Sequence, residues 1–397
     1  MRGRGSRIAT LAAFAIATGA VVGAGACAAE GVSAVASVHP DAGLLDDSPV
    51  EPAVDGESDS GFEVPASDCP AMVDAAPPPG ALAVGQSAPS AIAVDGTNVY
   101  WVNAGAGGGM ERKSVLPSTG GQVMKCAKPG CDAAPTVLAA GFMSLPLPPL
   151  PFAVGPSGLY FDDFSTGTMA CGLDGCVDAG VLVSSTHADR LAADATHVYS
   201  AGPDGLLEIP IAGDAGAVVL YSGNDWPLAV AVDATDVYFV TSNGIVMKCA
   251  IGGCNGSPTV VATGAPVGIE IALDANNVYW TAVNGGPGTI FACPKSGCAT
   301  PEPLVPDRLG LGSIATDGVA VYFTELGDDA VDGLPVSGRG GVYKCAVGGC
   351  SGEPTAVAAY QTDPGSVAVD SADAGDAGRV YWTAGPCRGS LVLSAAK

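Results

Sequence analysis

The residues that could carry chemistry in this chain are mainly carboxylates and cysteines. Its 397 residues include 40 Asp and Glu and 13 Cys, but only three His, at positions 39, 187 and 197. His39 falls in the acidic N-terminal segment, His187 in a connection and His197 in a turn, and no converging set of His, Glu and Arg can be assembled for acid–base catalysis. The sequence also contains no nucleophile elbow, phosphate-binding loop or zinc-ligand helix. Catalytic residues are therefore not assigned from the sequence.

Ten of the cysteines form five pairs with the spacing C-x4-C. The pairs are Cys126 with Cys131, Cys171 with Cys176, Cys249 with Cys254, Cys293 with Cys298, and Cys345 with Cys350. A tetrahedral zinc site would need four donors from two such pairs, and separate repeats would hold the pairs too far apart. We therefore predict five local disulfides, each closing a short loop and contributing near the low end of ~2–4 kcal/mol.

The N-terminus predicts export. Arg2, Arg4 and Arg7 precede an apolar run that ends in small residues before Cys27, as in a signal peptide over residues 1–26. A membrane anchor is the alternative, but the run is short for a bilayer. The segment Ala24–Cys27 resembles the lipobox of bacterial lipoproteins, which implies acylation of Cys27, with plain cleavage as the alternative. If Cys27 is acylated, Cys69 and Cys387 remain, and we predict that they bond to each other.

Composition divides the rest of the chain at about residue 80. Residues 28–80 hold eleven Asp and Glu and no Lys or Arg, so we interpret residues 27–80 as the lipid-attachment cysteine followed by a disordered acidic tether. Without residues 1–26 the chain has 13 basic and 40 acidic side chains, a net charge of −27. No basic stripe offsets this charge, so a nucleic-acid partner is not expected. Residues 81–397 are the predicted folded domain.

One short sequence motif recurs seven times in residues 81–397. A short apolar run, which ends in Asp in six copies and in Gly155 in the second, is followed by a turn and then by Val-Tyr or a close equivalent, as at Asp95 and Tyr100 or at Asp274 and Tyr279. Around Asp233 a full unit contains four short strands, 228–232, 237–241, 245–249 and 259–262. Repeats of four antiparallel strands are typical of β-propeller blades. We predict an all-β, seven-bladed propeller, with six blades as the alternative.

The ring is expected to close with a strand from each end of the domain. The last repeat ends before a fourth strand, and residues 81–85, just before the first repeat, copy residues 136–140. An N-terminal strand that completes the C-terminal blade would remove an exposed sheet edge. The runs Val278–Thr281 and Val380–Thr383 resemble the YWTD repeats, and the chain as a whole resembles YWTD/NHL-like propellers and the Cys-rich propeller lipoproteins of predatory soil bacteria. This resemblance implies extracellular recognition without a particular chemistry.

Insertions predict where a ligand would bind. In a propeller the loops between second and third strands and those between blades share one face, which commonly holds the ligand site. The longest insertions fall there, at 103–121, 141–151 and 325–341. The candidate ligand-binding residues on this face are Glu111, Arg112, Lys113, Trp226, Asp328, Asp329 and Arg339. Solvated loop charge is the alternative interpretation. The Pro-rich stretch 143–151 either docks a partner or packs over a blade.

The predicted function is that of an exported, lipid-anchored cell-envelope module that binds a protein or glycan partner. We expect a monomer without a cofactor. The acidic run Asp370, Asp373 and Asp376 and the pair Asp162–Asp163 do not match a calcium-loop spacing, so no metal site is assigned. The alternatives are an enzyme, a lyase or glycan-acting hydrolase using carboxylates of the insertion rim, and a structural spacer in the envelope. Two carboxylates about 5 to 10 Å apart on the insertion-bearing face would favour the hydrolase.

Overall fold

Short apolar runs between turn residues form strands, and thirty strands account for all the regular structure of the described residues. The computed structural model describes residues 80–397 except 106–108, 112–113, 117, 129, 132–133, 145–148, 177–179, 213–215, 284–286, 327–339, 351, 362, 371–377 and 386–389. For 109–111, 114–116, 118 and 390 it describes the backbone only. Among the described residues no helix has the length and apolarity needed to cross a membrane.

Twenty-eight of the strands form seven four-stranded antiparallel sheets, so the domain is a seven-bladed β-propeller, as predicted. From the centre outward, blade 1 consists of β2 (Pro89–Val94), β3 (Asn98–Asn103), β6 (Ser118–Ala127) and β7 (Thr136–Ser144). Blade 2 consists of β8 (Phe152–Gly155), β9 (Gly158–Asp163), β10 (Gly167–Cys171) and β11 (Val181–Ser184). Blade 3 consists of β12 (Arg190–Ala193), β13 (His197–Gly202), β14 (Gly205–Pro210) and β15 (Val218–Tyr221). Blades 4 and 5 are β16 (Pro227–Val232), β17 (Asp236–Thr241), β18 (Val246–Ala250) and β19 (Thr259–Ala262); and β20 (Gly268–Leu273), β21 (Asn277–Ala282), β22 (Gly288–Pro294) and β23 (Glu302–Arg308). Blades 6 and 7 are β24 (Leu311–Thr316), β25 (Ala320–Glu325), β26 (Gly340–Ala346) and β27 (Thr355–Gln361); and β28 (Pro364–Val369), β29 (Arg379–Ala384), β30 (Ser390–Ala396) and β1 (Ala81–Gln86).

The chain runs outward through each blade, which separates two faces. Turns from first to second strands and loops from third to fourth strands lie on one face, which we call the clasp face. Loops from second to third strands and connections between blades lie on the other, the open face. The insertion of blade 1 lies on the open face and forms its own hairpin, β4 (Gly109–Glu111) and β5 (Ser114–Leu116).

The predicted closure of the ring is confirmed. The N-terminal strand β1 is the outer strand of blade 7, and it pairs with β30 through Ala81 with Leu393 and Ala83 with Val392. The sequence alignment behind the prediction was wrong by one residue, because β1 has a bulge at Leu82 and so corresponds to 137–141. The inner strands β2 and β28 contact each other, which completes the circle.

Every outer strand carries a β-bulge at the same place. The extra residue is apolar in all seven blades: Leu82, Leu138, Val183, Leu220, Val261, Leu304 and Val357. A bulge twists an edge strand and interrupts its row of free backbone groups, which opposes pairing with another chain. Three residues later Gly85, Gly141 and Gly264 have positive φ angles, 66°, 85° and 86°, which a glycine adopts without strain. Tyr360 occupies this place in blade 6, also at positive φ, 57°.

The recurrent Asp ties the first turn of a blade to its Tyr. In blade 1, Asp95 accepts hydrogen bonds from the N–H groups of Thr97 and Asn98, both at 2.7 Å, and from the Tyr100 hydroxyl, also at 2.7 Å. Burial alone would raise the pKa of Asp95, but these hydrogen bonds lower it. Burial, together with the Asp95 carboxylate, raises the pKa of Tyr100. The Asp carboxylate therefore stabilises the turn, and the buried hydroxyl group of Tyr100 has its acceptor.

The hydrophobic core lies between neighbouring blades. At the junction of blades 7 and 1, for example, Ala83, Val392 and Tyr381 pack with Trp101. The Tyr of each repeat stands opposite an Ala of the inner strand, as Tyr100 stands opposite Ala93. Small side chains are needed there because the inner strands of adjacent blades approach one another at the centre of the ring.

All five predicted C-x4-C disulfides are present, with Cα–Cα distances of 5.1 to 5.8 Å. The second cysteine of each pair lies in the loop after the third strand. In blades 2, 4, 5 and 6 the loop turns at a glycine of positive φ just before that cysteine, as at Gly297. The turn directs the Cys298 N–H to Val261 O of the preceding blade, at 2.9 Å. Disulfides of this number indicate an oxidising compartment outside the cytoplasm.

Candidate functional site

The structure describes few of the side chains predicted to bind a ligand. Trp226 lies on the open face, half-buried, immediately before the inner strand of blade 4. Glu111 lies on β4, where only the backbone is described. The remaining predicted residues fall outside the described residues: Arg112, Lys113, Asp328, Asp329 and Arg339. The same holds for the predicted lipidation site Cys27 and for the predicted Cys69–Cys387 disulfide.

An ion pair crosses the mouth of the central channel on the open face. Arg190 begins the inner strand of blade 3, and Glu270 lies on the inner strand of blade 5. The Arg190 Nε and Nη2 atoms are each 3.0 Å from Glu270 Oε1, so the pair passes in front of blade 4. Arg190 Nη1 also donates to the carbonyl oxygens of Asp189, at 2.8 Å, and of Pro149, at 3.3 Å. Three separate parts of the ring therefore meet at one guanidinium group.

A histidine and a carboxylate are paired beside this mouth, between blades 2 and 3. His187 Nδ1 lies 3.1 Å from Asp162 Oδ2, and Asp162 Oδ1 accepts the N–H of Ala188 at 3.2 Å. The hydrogen bond to Asp162 raises the pKa of His187, against a lowering by burial. The imidazole is 44% exposed and its carboxylate partner 8%, so the ring is partly open to solvent while the anion is shielded. The exposed ring of Phe164 lies 5.7 Å from the imidazole.

Asp189 adds a second carboxyl group to this region. Burial raises its pKa, and the negative charge of Asp162 raises it further, while Arg190 opposes both effects. A carboxyl group with a raised pKa beside a histidine is the kind of pair that can exchange a proton with a ligand. The site therefore has the elements of acid–base chemistry, although the sequence placed the candidate carboxylates in the insertions.

Other polar residues of the open face have structural partners. Although burial alone would raise the pKa of Asp163, hydrogen bonds from Ser165 and from the Met143 N–H lower it. Asp163 thereby orders both its own hairpin and the connection from blade 1. In blade 4, Asn243 Nδ2 donates to Asp225 Oδ2 at 2.7 Å, and the carbonyl oxygen of Trp226 accepts the N–H of Ser242 at 2.9 Å.

No cluster of three or more His, Cys, Asp or Glu side chains that could hold a metal ion occurs among the described residues. Asp370, the first residue of the acidic run considered above, is paired with Lys128 at 3.2 Å. Asp373 and Asp376 lie outside the described residues. The described end of the Pro-rich stretch is buried against blade 1. Leu150 is 6% exposed, and its N–H donates to Ser90 Oγ at 3.0 Å.

Sequence reasoning missed the channel pair, although a signal for it exists. Arg190 and Glu270 are the charged residues of the seven inner strands, which are otherwise apolar or small, and their charges are opposite. Two opposite charges in strands that surround one axis favour a contact across it. The His187–Asp162 pair has no such signal, because His187 belongs to the connection between blades 2 and 3, and the path of that connection depends on the packing of the two blades.

Comparison with known proteins supports the fold and leaves the family open. No family model matches the chain, and no curated protein matches it significantly. Solved β-propeller structures do match. The WD40 propeller of Doa1 is similar with a TM-score of 0.52 and 10% sequence identity, over 80% of this chain and 97% of that one. The Neurospora crassa Pan2 WD40 domain has a TM-score of 0.51 and 10% identity over 78% and 90%. At this identity the likeness shows the fold alone. The class defined here is thus a disulfide-clasped seven-bladed β-propeller.

Proposed function

We propose that this protein is an exported, lipid-anchored β-propeller of the cell envelope that binds a protein or glycan partner through its open face. The observation that carries the proposal is the contrast between the two faces. On the clasp face, the first turns of blades 1, 3, 4, 5 and 6 have one length and end in the same Asp–Tyr arrangement. On the open face, the loop between second and third strands ranges from two residues in blade 3 to an added hairpin in blade 1. Binding sites favour such variable loops on a rigid scaffold.

The export signal, the acidic tether and the lipobox-like Cys27 support attachment to a membrane. The disulfides agree with export, because such bonds persist in oxidising compartments. The resemblance to YWTD/NHL-like propellers and to Cys-rich propeller lipoproteins supports extracellular recognition. Replacing Cys27 by Ser tests the anchor: labelled fatty acid should be incorporated into the wild-type chain and not into C27S, and labelling of neither would refute it.

The binding proposal is tested by capture from envelope extract with the full-length protein. The open-face variant neutralises Glu111, Asp328 and Asp329 as amides. The matched control is Asp174→Asn, which removes one fully exposed charge from the clasp face. We expect the partner to be lost with the open-face variant and kept with the control. Equal capture by all three proteins would contradict binding through the open face.

An enzyme is the second candidate, and the pairing of His187 with Asp162 beside Asp189 favours it. These groups could transfer a proton to or from a glycan, as a lyase or hydrolase requires. Polysaccharide depolymerisation by the wild-type protein that is lost in H187Q and D162N, with folding retained, would support this candidate. Depolymerisation that persists in both variants would exclude the pair as its site.

A further inference from the structure

Two Asn-Gly dipeptides lie in blade 4, one on each face of the ring. One begins at Asn243, in the loop between β17 and β18 on the open face, and the other at Asn255, in the loop between β18 and β19 on the clasp face. The third in the sequence, at Asn284, lies outside the described residues. Asparagine before glycine is prone to lose ammonia, because a residue without a side chain leaves its backbone nitrogen free to attack the amide carbon of the asparagine. The two sites can therefore be compared within one blade.

Asn243 is held at every group that the reaction would have to move. Its Oδ1 atom accepts a hydrogen bond from the Thr241 hydroxyl at 2.6 Å, and its Nδ2 donates to Asp225 Oδ2 at 2.7 Å. The N–H of Gly244, the attacking nitrogen, donates to Thr241 O at 2.9 Å. Gly244 is buried, and a Cβ atom added there would overlap Ala265 O, so its backbone has little room to rotate.

Asn255 has none of these restraints. It forms the centre of a β-turn with Gly256, and the turn is closed by the Ser257 N–H, which donates to Cys254 O at 3.0 Å. Both central residues have positive φ angles, 55° and 70°, as in a type I′ turn. Asn255 is exposed, and among the described residues neither its side chain nor the Gly256 N–H has a hydrogen-bond partner. No atom lies within 4 Å of a Cβ added at Gly256, so the turn can open, as the attack requires, without displacing a neighbour.

We propose that Asn255 is a site of spontaneous deamidation in the folded protein. The Gly256 nitrogen loses its proton and forms a bond to Cγ of Asn255, and Nδ2 takes up a proton and leaves as ammonia. Water then opens the five-membered imide at one of its two carbonyl carbons and breaks one C–N bond. Opening at Cγ leaves aspartate at this position, and opening at the main-chain carbon leaves isoaspartate, in which the chain runs through the former side chain. The net change is the gain of water and the loss of ammonia.

The surrounding loop confines the effect of this modification. Cys254 immediately precedes the site and is bonded to Cys249, and β19 begins shortly after the turn, so both ends of the modified segment are fixed. The Gly252 N–H, which donates to Glu208 Oε1 of blade 3 at 2.9 Å, lies on the far side of the disulfide. Isoaspartate lengthens the main chain of the turn, and either product adds a negative charge to the clasp face. We therefore expect the modified protein to keep its fold and the contact between blades 3 and 4.

Peptide mass spectrometry of the oxidised full-length chain, incubated at mildly alkaline pH, tests the proposal. The conversion of amide to carboxyl is followed at Asn243 and Asn255 in native protein and in protein unfolded in urea, which gives the rate of each dipeptide without structure. At Asn255 we expect the native rate to lie within roughly tenfold of the unfolded rate, the effect of the one turn hydrogen bond that must break. At Asn243 three hydrogen bonds must break, so the native rate should be lower than the unfolded rate by roughly a hundredfold.

Two results of this experiment would overturn the proposal. One is a native rate at Asn255 as low as that at Asn243. The other is a product that contains aspartate alone, because direct hydrolysis of the amide gives aspartate, whereas attack by Gly256 also gives isoaspartate.

Variants test whether the hydrogen bonds of Asn243 cause the difference. The double variant Thr241→Val and Asp225→Ala removes both side-chain partners of Asn243, so the native rate there should rise roughly tenfold or more while the rate at Asn255 stays the same. The matched control is Asn255→Gln, whose longer side chain would have to close a larger ring. It should suppress the modification on the clasp face and leave Asn243 unchanged. An unchanged rate at Asn243 in the double variant would refute the structural explanation and the proposal with it. If the double variant fails to fold, the native and unfolded rates of the wild-type protein decide alone.

Discussion

The side chain of Gln86 links the N-terminal strand β1 to blade 1, so replacing it tests how the ring is closed. It lies on β1 and is 8% exposed. Its Oε1 atom accepts hydrogen bonds from Trp101 Nε1 and Asn103 Nδ2, both at 3.0 Å, and its Nε2 donates to Val84 O. The N-terminal strand thus supplies the acceptor for two buried donors of blade 1. Gln86→Met preserves the side-chain volume and removes the acceptor, so it isolates the hydrogen bonds from the packing.

The expected cost follows from the burial of the two donors. Trp101 and Asn103 are 0% and 2% exposed, so water cannot readily replace the lost acceptor. A buried polar group left without a partner costs about 1–3 kcal/mol, and two such groups give a loss of about 2–6 kcal/mol in the free energy of unfolding. Urea denaturation measures the loss, provided that the slope against denaturant concentration is unchanged.

Gln361→Met is the matched control. Gln361 occupies the corresponding place in blade 6, but it accepts one donor, Trp382 Nε1 at 3.2 Å, and it is half-buried. We expect this variant to cost about 1–3 kcal/mol, because it leaves one donor, Trp382 Nε1, without its acceptor instead of two. A loss for Gln86→Met no larger than that for Gln361→Met would refute the claim that β1 closes the ring through this side chain.

Three further predictions concern single positions in other blades. Trp280 Nε1 of blade 5 is fully buried and finds no hydrogen-bond partner among the described residues, and Ala265 stands where blades 7 and 6 have Gln86 and Gln361. The variant Ala265→Gln should therefore supply an acceptor and raise the urea midpoint of unfolding. A lower midpoint would show that the space is too small for the longer side chain. Gly141→Ala should cost about 1 kcal/mol in urea denaturation through its positive φ alone, since no atom lies within 4 Å of the added Cβ; no cost would contradict the assigned backbone conformation. Burial alone would raise the pKa of Asp233, but hydrogen bonds from Lys295 and from backbone N–H groups lower it to about 2. Because the folded pKa lies below the unfolded one, Asp233 stabilises the fold above pH ~4 by about 2 kcal/mol, and this contribution disappears as the pH falls through ~2. Urea denaturation of Asp233→Asn across this range should show a flatter dependence of stability on pH, and an unchanged pH profile would contradict the assignment.

Local sequence patterns predicted most of the fold, because a propeller repeats one unit. The recurrent Tyr, preceded by Asp in every repeat except the second, marked the first hairpin, and the C-x4-C pairs marked the loop after the third strand. The closing strand was recognised from its likeness to an outer strand of blade 1, although the bulge at Leu82 shifted the alignment by one residue. Bulges leave no clear mark in a run of apolar residues, so their position required the structure.

The candidate site was less predictable because it depends on contacts between distant repeats. Arg190 and Glu270 lie 80 residues apart, and their pairing follows from the ring geometry rather than from local spacing. Gln86 likewise gains its role only because β1 lies beside blade 1. The predicted rim residues came from insertions, whose length can be read from the sequence but whose side-chain positions cannot.

The two faces of the ring respond differently to change in sequence. A longer turn at Asp95 or Asp274 would break the hydrogen bonds that the Tyr hydroxyl and the turn N–H groups share with one carboxylate. It would also move the residue after the third strand, Lys128 or Lys295, whose N–H donates to that turn. A longer loop between second and third strands extends into solvent and disturbs neither these hydrogen bonds nor the residue after the third strand. Differences among the seven repeats have therefore accumulated where the blade geometry does not oppose them. The recognition surface should for this reason be sought around Trp226, His187 and the insertions of blades 1 and 6, and not among the clasps.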